Sequence, residues 1–392
     1  MKLILYSWNA NNEQVLADNL VKMGFEVAWF RKECRHYTRD MELAMEMIPC
    51  IHAEEAEAVI SFNYFPIISM ICNTCQIPYY AWVYDCPHFT LYAKQITLPC
   101  NHIGIFDREM AEHMKAYGVE TVYHVPLAVD TEYFGERTRQ ASKEQRQKYA
   151  CDVSFVGSLY TDQYDYFDAF FSEEQSGEKF DTERMLFNCD DVLLREFMKN
   201  SKLNLNLIRE KMRENGLFLG EDYFAKEEDI FLPAVLEKKI TVEERRILLS
   251  KIAEMINVKF RLYTDSDTSE LPKLHACNCG RVDYHKEMPL VFTESKINLN
   301  ITLHSIHSGI PLRVLDIMAC GGFVLTNWQP EIAECFAEDE EIVTFRSMEE
   351  CLNKTTYYLS HDEERIQIAA AGQKKVREIF SYQAGLARLF QV

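Results

Sequence analysis

A chain of 392 residues is longer than one ordinary hydrophobic core organises and fits two domains. Its 42 Lys and Arg against 61 Asp and Glu leave a formal charge of -19, which disfavours nucleic acid or an anionic membrane as a partner, so local basic residues must meet any phosphate. No apolar run approaches the roughly 20 residues of a bilayer span, residues 1–6 are too short a block for a signal peptide, and 13 scattered cysteines in apolar contexts point to the reduced cytoplasm.

From the N-terminus, short apolar runs alternate with amphipathic stretches. Residues 2–6 predict a strand, residues 12–23 a helix closed by Gly24, and residues 25–30 a second strand. The same beat predicts strands at 58–62, 79–84, 102–106 and 121–125, with a helix over 108–117 closed by Gly118. Such repetition predicts an α/β fold with a doubly wound, mainly parallel sheet. No Gly-x-Gly-x-x-Gly follows the first strand, so a dinucleotide cofactor is not expected there.

The charged stretch 135–149 lacks a clear apolar face and reads as a linker, giving a first domain of residues 1–148 and a second of 149–380. Residues 151–157 predict the strand that opens the second domain. Gly157, Ser158 and Tyr160 at its end can bring backbone amides close to a phosphate, although a glycine at a strand end is as often a mere turn. Residues 161–257 hold no convincing strand and predict a helical insertion, in which Thr241-Val-Glu-Glu244 has the form of a capping box opening a helix to about Ile256. A strand at 258–263 delivers Asp265 and Asp267, an Asp-x-Asp that could grip a divalent cation or simply form a turn. Cys277 and Cys279 are too closely spaced, with no matching pair, for structural zinc to be expected.

Alternation of apolar and polar residues from Lys296 to His304 predicts a strand ending near His304. Pro311 suits the first turn of a helix running to about Cys320, Gly321-Gly322 supplies its left-handed cap, and residues 323–326 read as the next strand. His304, His307, Ser308, Gly309, Arg313 and Asp316 then fall on a loop and the first turns of a helix whose exposed amides favour an anion. His304 and His307 could also ligate zinc, but no third ligand is evident. A strand at 341–345, capping boxes at Ser347 and Ser360 and an amphipathic segment over 382–390 complete the chain.

The run Ser308-Gly-Ile-Pro-Leu-Arg-Val-Leu-Asp316-Ile-Met-Ala-Cys-Gly-Gly322 resembles the nucleotide-sugar motif of GT-B glycosyltransferases, two acids separated by seven residues and followed by a small-residue turn. With Lys296-Ile-Asn-Leu-Asn300 before it and residues 329–336 after it, it is similar to the CgeB-like (spore-maturation type) glycosyltransferases, and residues 78–88, 106–108, 124–128 and 152–160 extend that likeness over most of the chain. Ser308 stands where the first acid would be a Glu, and Asp316 replaces the second. The resemblance implies two Rossmann-like domains facing a cleft, with a terminal segment, residues 381–392, packing back on the first domain. It implies transfer of a sugar from a nucleotide-diphosphate donor to an acceptor of unknown kind, with no cofactor; no metal is expected either, because the residues offer no credible carboxylate pair. Asp316 would hold the donor ribose, Arg281 would lie near the base, and Arg313, His304, His307 and the amides near Gly157 would meet the diphosphate.

On the acceptor side, Asp85 should emerge at the C-terminal end of the 79–84 strand, with Cys86-Pro87 holding His88 close by. Asp85, or a His88 oriented by it, is then a candidate general base, with Asp107 next in line; the plainer reading is a helix-capping Asp with a surface His. Two other functions stay open: an idle relative that binds a nucleotide sugar as a structural component of a glycosylation or spore-coat system, and a nucleotide-sugar epimerase.

Overall fold

The computed structural model describes residues 1–161, 210, 212–214 and 220–391. Its first sheet contains β1 (Lys2–Ser7), β2 (Glu26–Arg31), β3 (Ala58–Phe62), β4 (Tyr79–Val83), β5 (Asn101–Ile105) and β6 (Val122–His124), all parallel, in the order β2-β1-β3-β4-β5-β6. The second contains β7 (Cys151–Val156), β8 (Phe260–Tyr263), β9 (Ser295–Asn300), β10 (Val324–Asn327) and β11 (Val343–Phe345), again parallel, in the order β11-β10-β9-β7-β8. Strand order reverses between β1 and β3 in one sheet and between β7 and β9 in the other. Loops that leave β1, β3, β7 and β9 at those reversals are where an open sheet forms its crevice. This is the two-domain α/β architecture that the sequence predicts.

Several expectations need correction. The strand predicted to reach His304 stops at Asn300, because beyond that residue the backbone amides turn to side chains: Thr302 N donates to Asn327 Oδ1 at 2.7 Å and His304 N to Thr241 Oγ1 at 2.9 Å. Nor does the alternation in β9 mark a wet face. Asn298 and Asn300 are buried, and Asn298 bonds Phe292 O, Phe323 O and Ser154 Oγ. The supposed linker is helical: Asp130 caps the helix Thr131–Gln140 and a Ser142/Gln145 capping box opens the helix Lys143–Tyr149. Their few apolar residues suffice, since Phe134 and Tyr149 are buried in a cluster between the two sheets.

Thr241 opens no helix. It lies inside Glu237–Ala253, where its hydroxyl donates back to Glu237 O, as threonine commonly does in a helix interior. Ser360 likewise bonds Tyr357 O instead of capping Asp362–Ile379, whereas Ser347 does cap Met348–Ser360 through Glu350 N. The predicted insertion lies partly outside the described residues. Its described end runs as the helix Glu227–Phe231, a π turn Leu232–Leu236 and Glu237–Ala253, and its apolar face packs into the first domain's core beside Tyr64 and Tyr92.

Two features weld the halves together. An apolar cluster joins Phe106, Leu127, Val129 and Phe134 to Ile306, Ile310, Val314 and Phe380. The terminal helix Tyr382–Gln391 crosses back to the first sheet, burying Tyr382, Leu386 and Leu389 against Trp82, Val125 and Ala128. Gly385 is required at that crossing, because a Cβ there would sit 2.4 Å from the Trp82 ring. Among the described residues no helix is long and apolar enough to cross a membrane.

Candidate functional site

The cleft begins with two loops of the first domain. After β1, residues 8–12 are held by the buried carboxylate of Glu13, which accepts from Trp8 N (2.9 Å), Ala10 N (3.1 Å) and Ser7 Oγ (2.5 Å). After β3, Asn63 adopts a left-handed backbone (φ 60°), tolerated by Asn better than by most side chains. Its amide then receives Tyr84 N and Asp85 N and donates to Asp85 Oδ2 at 2.7 Å. Asp85 is exposed yet fixed, and with Asn9, Asn11, Asn63, Tyr84 and Leu312 it lines a cavity of about 240 Å³.

His88 is half-buried and turned elsewhere. Its Nε2 lies 2.7 Å from Thr90 Oγ1 and 3.2 Å from both Tyr64 N and Tyr64 O, and no hydrogen bond joins it to Asp85. Burial pushes its imidazole below the ordinary range, against the pull of the Asp85 charge. The expected Asp85 and His88 couple therefore does not form as a contact. Asp107, the reserve base, is buried and saturated: it caps its own helix through Met110 N and accepts from His307 N (2.7 Å), Ser308 N (3.1 Å) and Gly309 N (3.3 Å).

That last contact corrects the donor-site expectation for the loop. The amides of residues 307–309 do form an anion cradle, but a carboxylate of the first domain fills it. Gly309 is needed for the approach, since a Cβ there would lie 2.8 Å from the Phe106 ring. Ser308 is buried with its hydroxyl 2.8 Å from Glu331 Oε1 and 3.2 Å from Asp107 Oδ1, while Glu331 Oε2 meets His124 Nε2 at 2.9 Å. His307 faces away from the donor cavity and contacts Glu237 Oε1 at 3.0 Å. His304 offers its amide to Thr241 and does not line the donor cavity.

The rest of the predicted donor set does converge. A cavity of about 650 Å³ is lined by Gly157 and Ser158 after β7, Thr264 and Asp265 after β8, Arg281, Val282, Asp283, Tyr284, His285 and Met288, and Arg313. Ser158 Oγ receives Tyr160 N at 2.9 Å, so its loop is closed on itself, and Tyr160, with a left-handed backbone (φ 57°), does not line the cavity. Gly157 is not strained, and a Cβ there would make ordinary contact with the Phe155 ring at 3.4 Å; its value is space. Arg313 is half-buried, contacts Met288 Sδ, and lies 5.6 Å from the Phe292 ring centroid and 3.8 Å from Asp316 Oδ2. The Arg281 side chain is 78 % exposed and 3.7 Å from Asp265 Oδ2. Asp267 turns aside to accept from Ser269 N, so the Asp-x-Asp pair does not converge on this cavity.

Asp316 is in the right place but on the wrong side of a tyrosine. It is 1 % exposed, and its Oδ1 accepts from Tyr284 OH at 2.8 Å, whose oxygen in turn accepts from Asn12 Nδ2 at 3.1 Å. Burial pushes its carboxyl up to about 6, opposed by the Arg313 charge and the Tyr284 hydrogen bond. Tyr284 and Asn11 line both cavities, so the two share a wall where the domains meet.

Sequence reasoning missed Glu13, Asn63, Tyr284 and Glu331, whose roles depend on partners far along the chain. It also missed Arg245, a buried guanidinium whose nitrogens lie 2.5 Å from Ser158 O and Ile301 O, which ties the β7 loop to the β9 loop; burial lowers its pKa. An Arg inside a charged helix gives no sign of such a post.

Residues 244–391 match the glycosyl transferase-like family model. No curated protein matches the chain in sequence. In fold it is similar to a glycosyltransferase from Rickettsia africae (TM-score 0.59, 10% identity, 100% of this chain and 97% of that one). It is also similar to Anabaena HepE solved with UDP and glucose (0.58, 8%, 100% and 98%) and to sucrose-phosphate synthase from Thermosynechococcus elongatus (0.57, 9%, 100% and 98%).

Proposed function

We infer that this chain, a GT-B glycosyltransferase in fold and in the family of residues 244–391, moves a sugar from a nucleotide-diphosphate donor to an acceptor bound beside Asp85. The observation that carries the reading is the pair of adjoining cavities. The larger is floored by glycine and serine at a strand end and armed with Arg313 and Arg281, and the smaller presents a fixed carboxylate.

The diphosphate lies against Arg313, whose charge is preorganised for the charge that grows as the donor bond breaks; the amides of Gly157, Leu159 and Tyr160, expected to share that task, are spent on Tyr263 O, Ser266 Oγ and Ser158 Oγ. Tyr284, anchored by Asp316, gives the donor a wall; the ribose role expected of Asp316 passes to the residue it holds. At the junction beside Asn11 and Tyr284 the acceptor oxygen bonds to the anomeric carbon while the bond to the β-phosphate oxygen breaks. Asp85 accepts the hydrogen bond of the acceptor hydroxyl and is placed to take its proton. The cations are the protein's own, so the reading is metal-independent. The finer CgeB-like placement and a cytoplasmic location belong to the same proposal, supported by the quoted motifs and the cysteine usage.

One observation favours the idle, nucleotide-sugar-binding alternative: Ser308 replaces the expected acid and is sealed between Asp107 and Glu331. Incubating the purified protein with a panel of UDP-, GDP- and ADP-sugars, with and without EDTA, separates the readings. Slow EDTA-resistant release of nucleoside diphosphate and free sugar is expected. Binding of UDP with no turnover of any donor would favour the idle relative, a new nucleotide sugar an epimerase, and turnover that EDTA abolishes and Mn²⁺ restores would remove metal independence.

A further inference from the structure

The cavity that presents Asp85 has a second character, given by aromatic rings. Trp8 lines it from the loop after β1 and is firmly held: its amide donates to Glu13 Oε1 and its indole N–H to Phe62 O, both at 2.9 Å, and its ring lies 6.4 Å from that of Phe65. Tyr37 packs on the same Phe65 at 5.9 Å, and its carbonyl accepts from Ile67 N at 2.7 Å. Phe65 is buried, yet Trp8 is 37 % and Tyr37 48 % exposed. Rings left in water but fixed in place gain from being covered and lose little freedom when a ligand covers them. Burial first, and then Cys34 and Asp85, push the Tyr37 phenol above its ordinary range, which sets this ring in the field of the same carboxylate.

The polar lining is as telling. Asn9 and Asn11 are exposed there, with side-chain amides free among the described residues, and Asp85 spends Oδ2 on Asn63 but keeps Oδ1 free. Fixed aromatic surface beside free amides and one carboxylate complements a pyranose, whose C–H faces pack on π surfaces while its hydroxyls donate and accept. Among the described residues no lysine or arginine lines the cavity, so an acidic ligand would meet Asp85 with no cation to offset it. Its volume of about 240 Å³ falls below the roughly 300–1,000 Å³ of pockets for drug-sized molecules, which suits one sugar ring and leaves further rings to lie outside.

We propose that the acceptor is a neutral saccharide, with one ring seated at Asp85 and the next lying on Trp8 and Tyr37. The proposal rests on the acceptor reading of this cavity and adds the acceptor's chemical class to it.

Saturation-transfer NMR on the full-length protein, with no donor present, tests it. The probes are cellotriose, maltotriose and triacetylchitotriose, set against trigalacturonate and an uncharged peptide rich in Ser and Thr. Saturable binding of at least one neutral trisaccharide at about millimolar concentration is expected, with trigalacturonate binding weakly or not at all. Trp8→Ala and Tyr37→Ala should each lose about fivefold or more, and Trp8→Phe, which keeps a ring, should retain most of the affinity. Unchanged UDP affinity and melting temperature would show that the variants fold, and the exposed Tyr37→Ala carries the test if Trp8→Ala does not. Because binding is read without donor, a protein that holds the saccharide through these rings yet transfers nothing would refute the transferase reading alone. Binding of the peptide in place of every saccharide, trigalacturonate bound as well as the neutral sugars, equal affinity in all variants, or no saccharide binding would overturn the proposal.

Discussion

At the residue scale, three side chains carry opposite demands. Arg313 sits half-buried beside the donor cavity, and its contact with the Asp316 carboxylate, at 3.8 Å, is longer than a hydrogen bond, so its charge is available to a ligand. Arg313→Ala should weaken UDP by about tenfold or more, the worth of a charge-assisted contact, and calorimetry reads it directly. Asp85→Asn keeps an acceptor for Asn63 Nδ2 but loses basicity, so turnover should fall by about a hundredfold with UDP affinity unchanged, as steady-state rates and calorimetry together would show. Asp316 is ionised at a cost. Its folded pKa, about 6, lies above that of an unfolded Asp, so the native state binds the extra proton between about pH 4 and pH 6. The group's contribution is therefore most favourable below that window and is lost as pH rises through it. Urea unfolding of wild type and Asp316→Asn across pH 4 to 7 should show the variant gaining on wild type by roughly 3 kcal/mol as pH rises through the window. A constant difference would mean that Asp316 titrates normally.

At the element scale, the loop between β9 and the helix Leu312–Ala319 explains which parts of the site were legible. Pro311, the apolar helix face and Gly321 (φ 78°) are local signals, and each came out within a residue or two of expectation. What the loop binds was not local. Residues of a type that normally cradle an anion were read as facing a diphosphate, but Asp107 lies 200 residues away in sequence from His307 and fills the cradle. The same contact rationalises the serine. A Glu at 308 would place a third carboxylate beside Asp107 and Glu331, whereas a hydroxyl can donate to one and accept Glu109 N at 3.1 Å. Ser308→Ala should cost about 1–3 kcal/mol by stranding buried acceptors, measured by urea unfolding, and Ser308→Glu should cost more.

At the scale of the whole molecule, the terminal helix and the shared apolar cluster make the halves one cooperative object. Leu386 is fully buried against the first sheet although it lies at the end of the second half's sequence. Leu386→Ala should destabilise by about 2–5 kcal/mol, and it should lower UDP affinity little, since the donor cavity is lined mainly by the second domain. Calorimetric melting that splits into two transitions in this variant would show that the crossing, more than the cluster, couples the domains.

The sequence by itself determined the parallel strands, most helices and the identity of the chemistry-bearing loops, because hydrophobic period, capping residues and glycines act over a few residues. It placed Gly157, Ser158 and Arg281 on loops and Arg313 on the first turn of a helix, and these do converge on one cavity. Only the tertiary structure decided which groups are spent and which are free. Asp316 is covered by Tyr284, Asp107 is consumed by the 307–309 amides, His88 is tied to Tyr64 and Thr90, and His307 turns to Glu237. The physical reason is that a polar side chain's function depends on the hydrogen bonds left over after burial has been compensated, and those partners are chosen by the packing of two sheets, which no local pattern in the chain encodes.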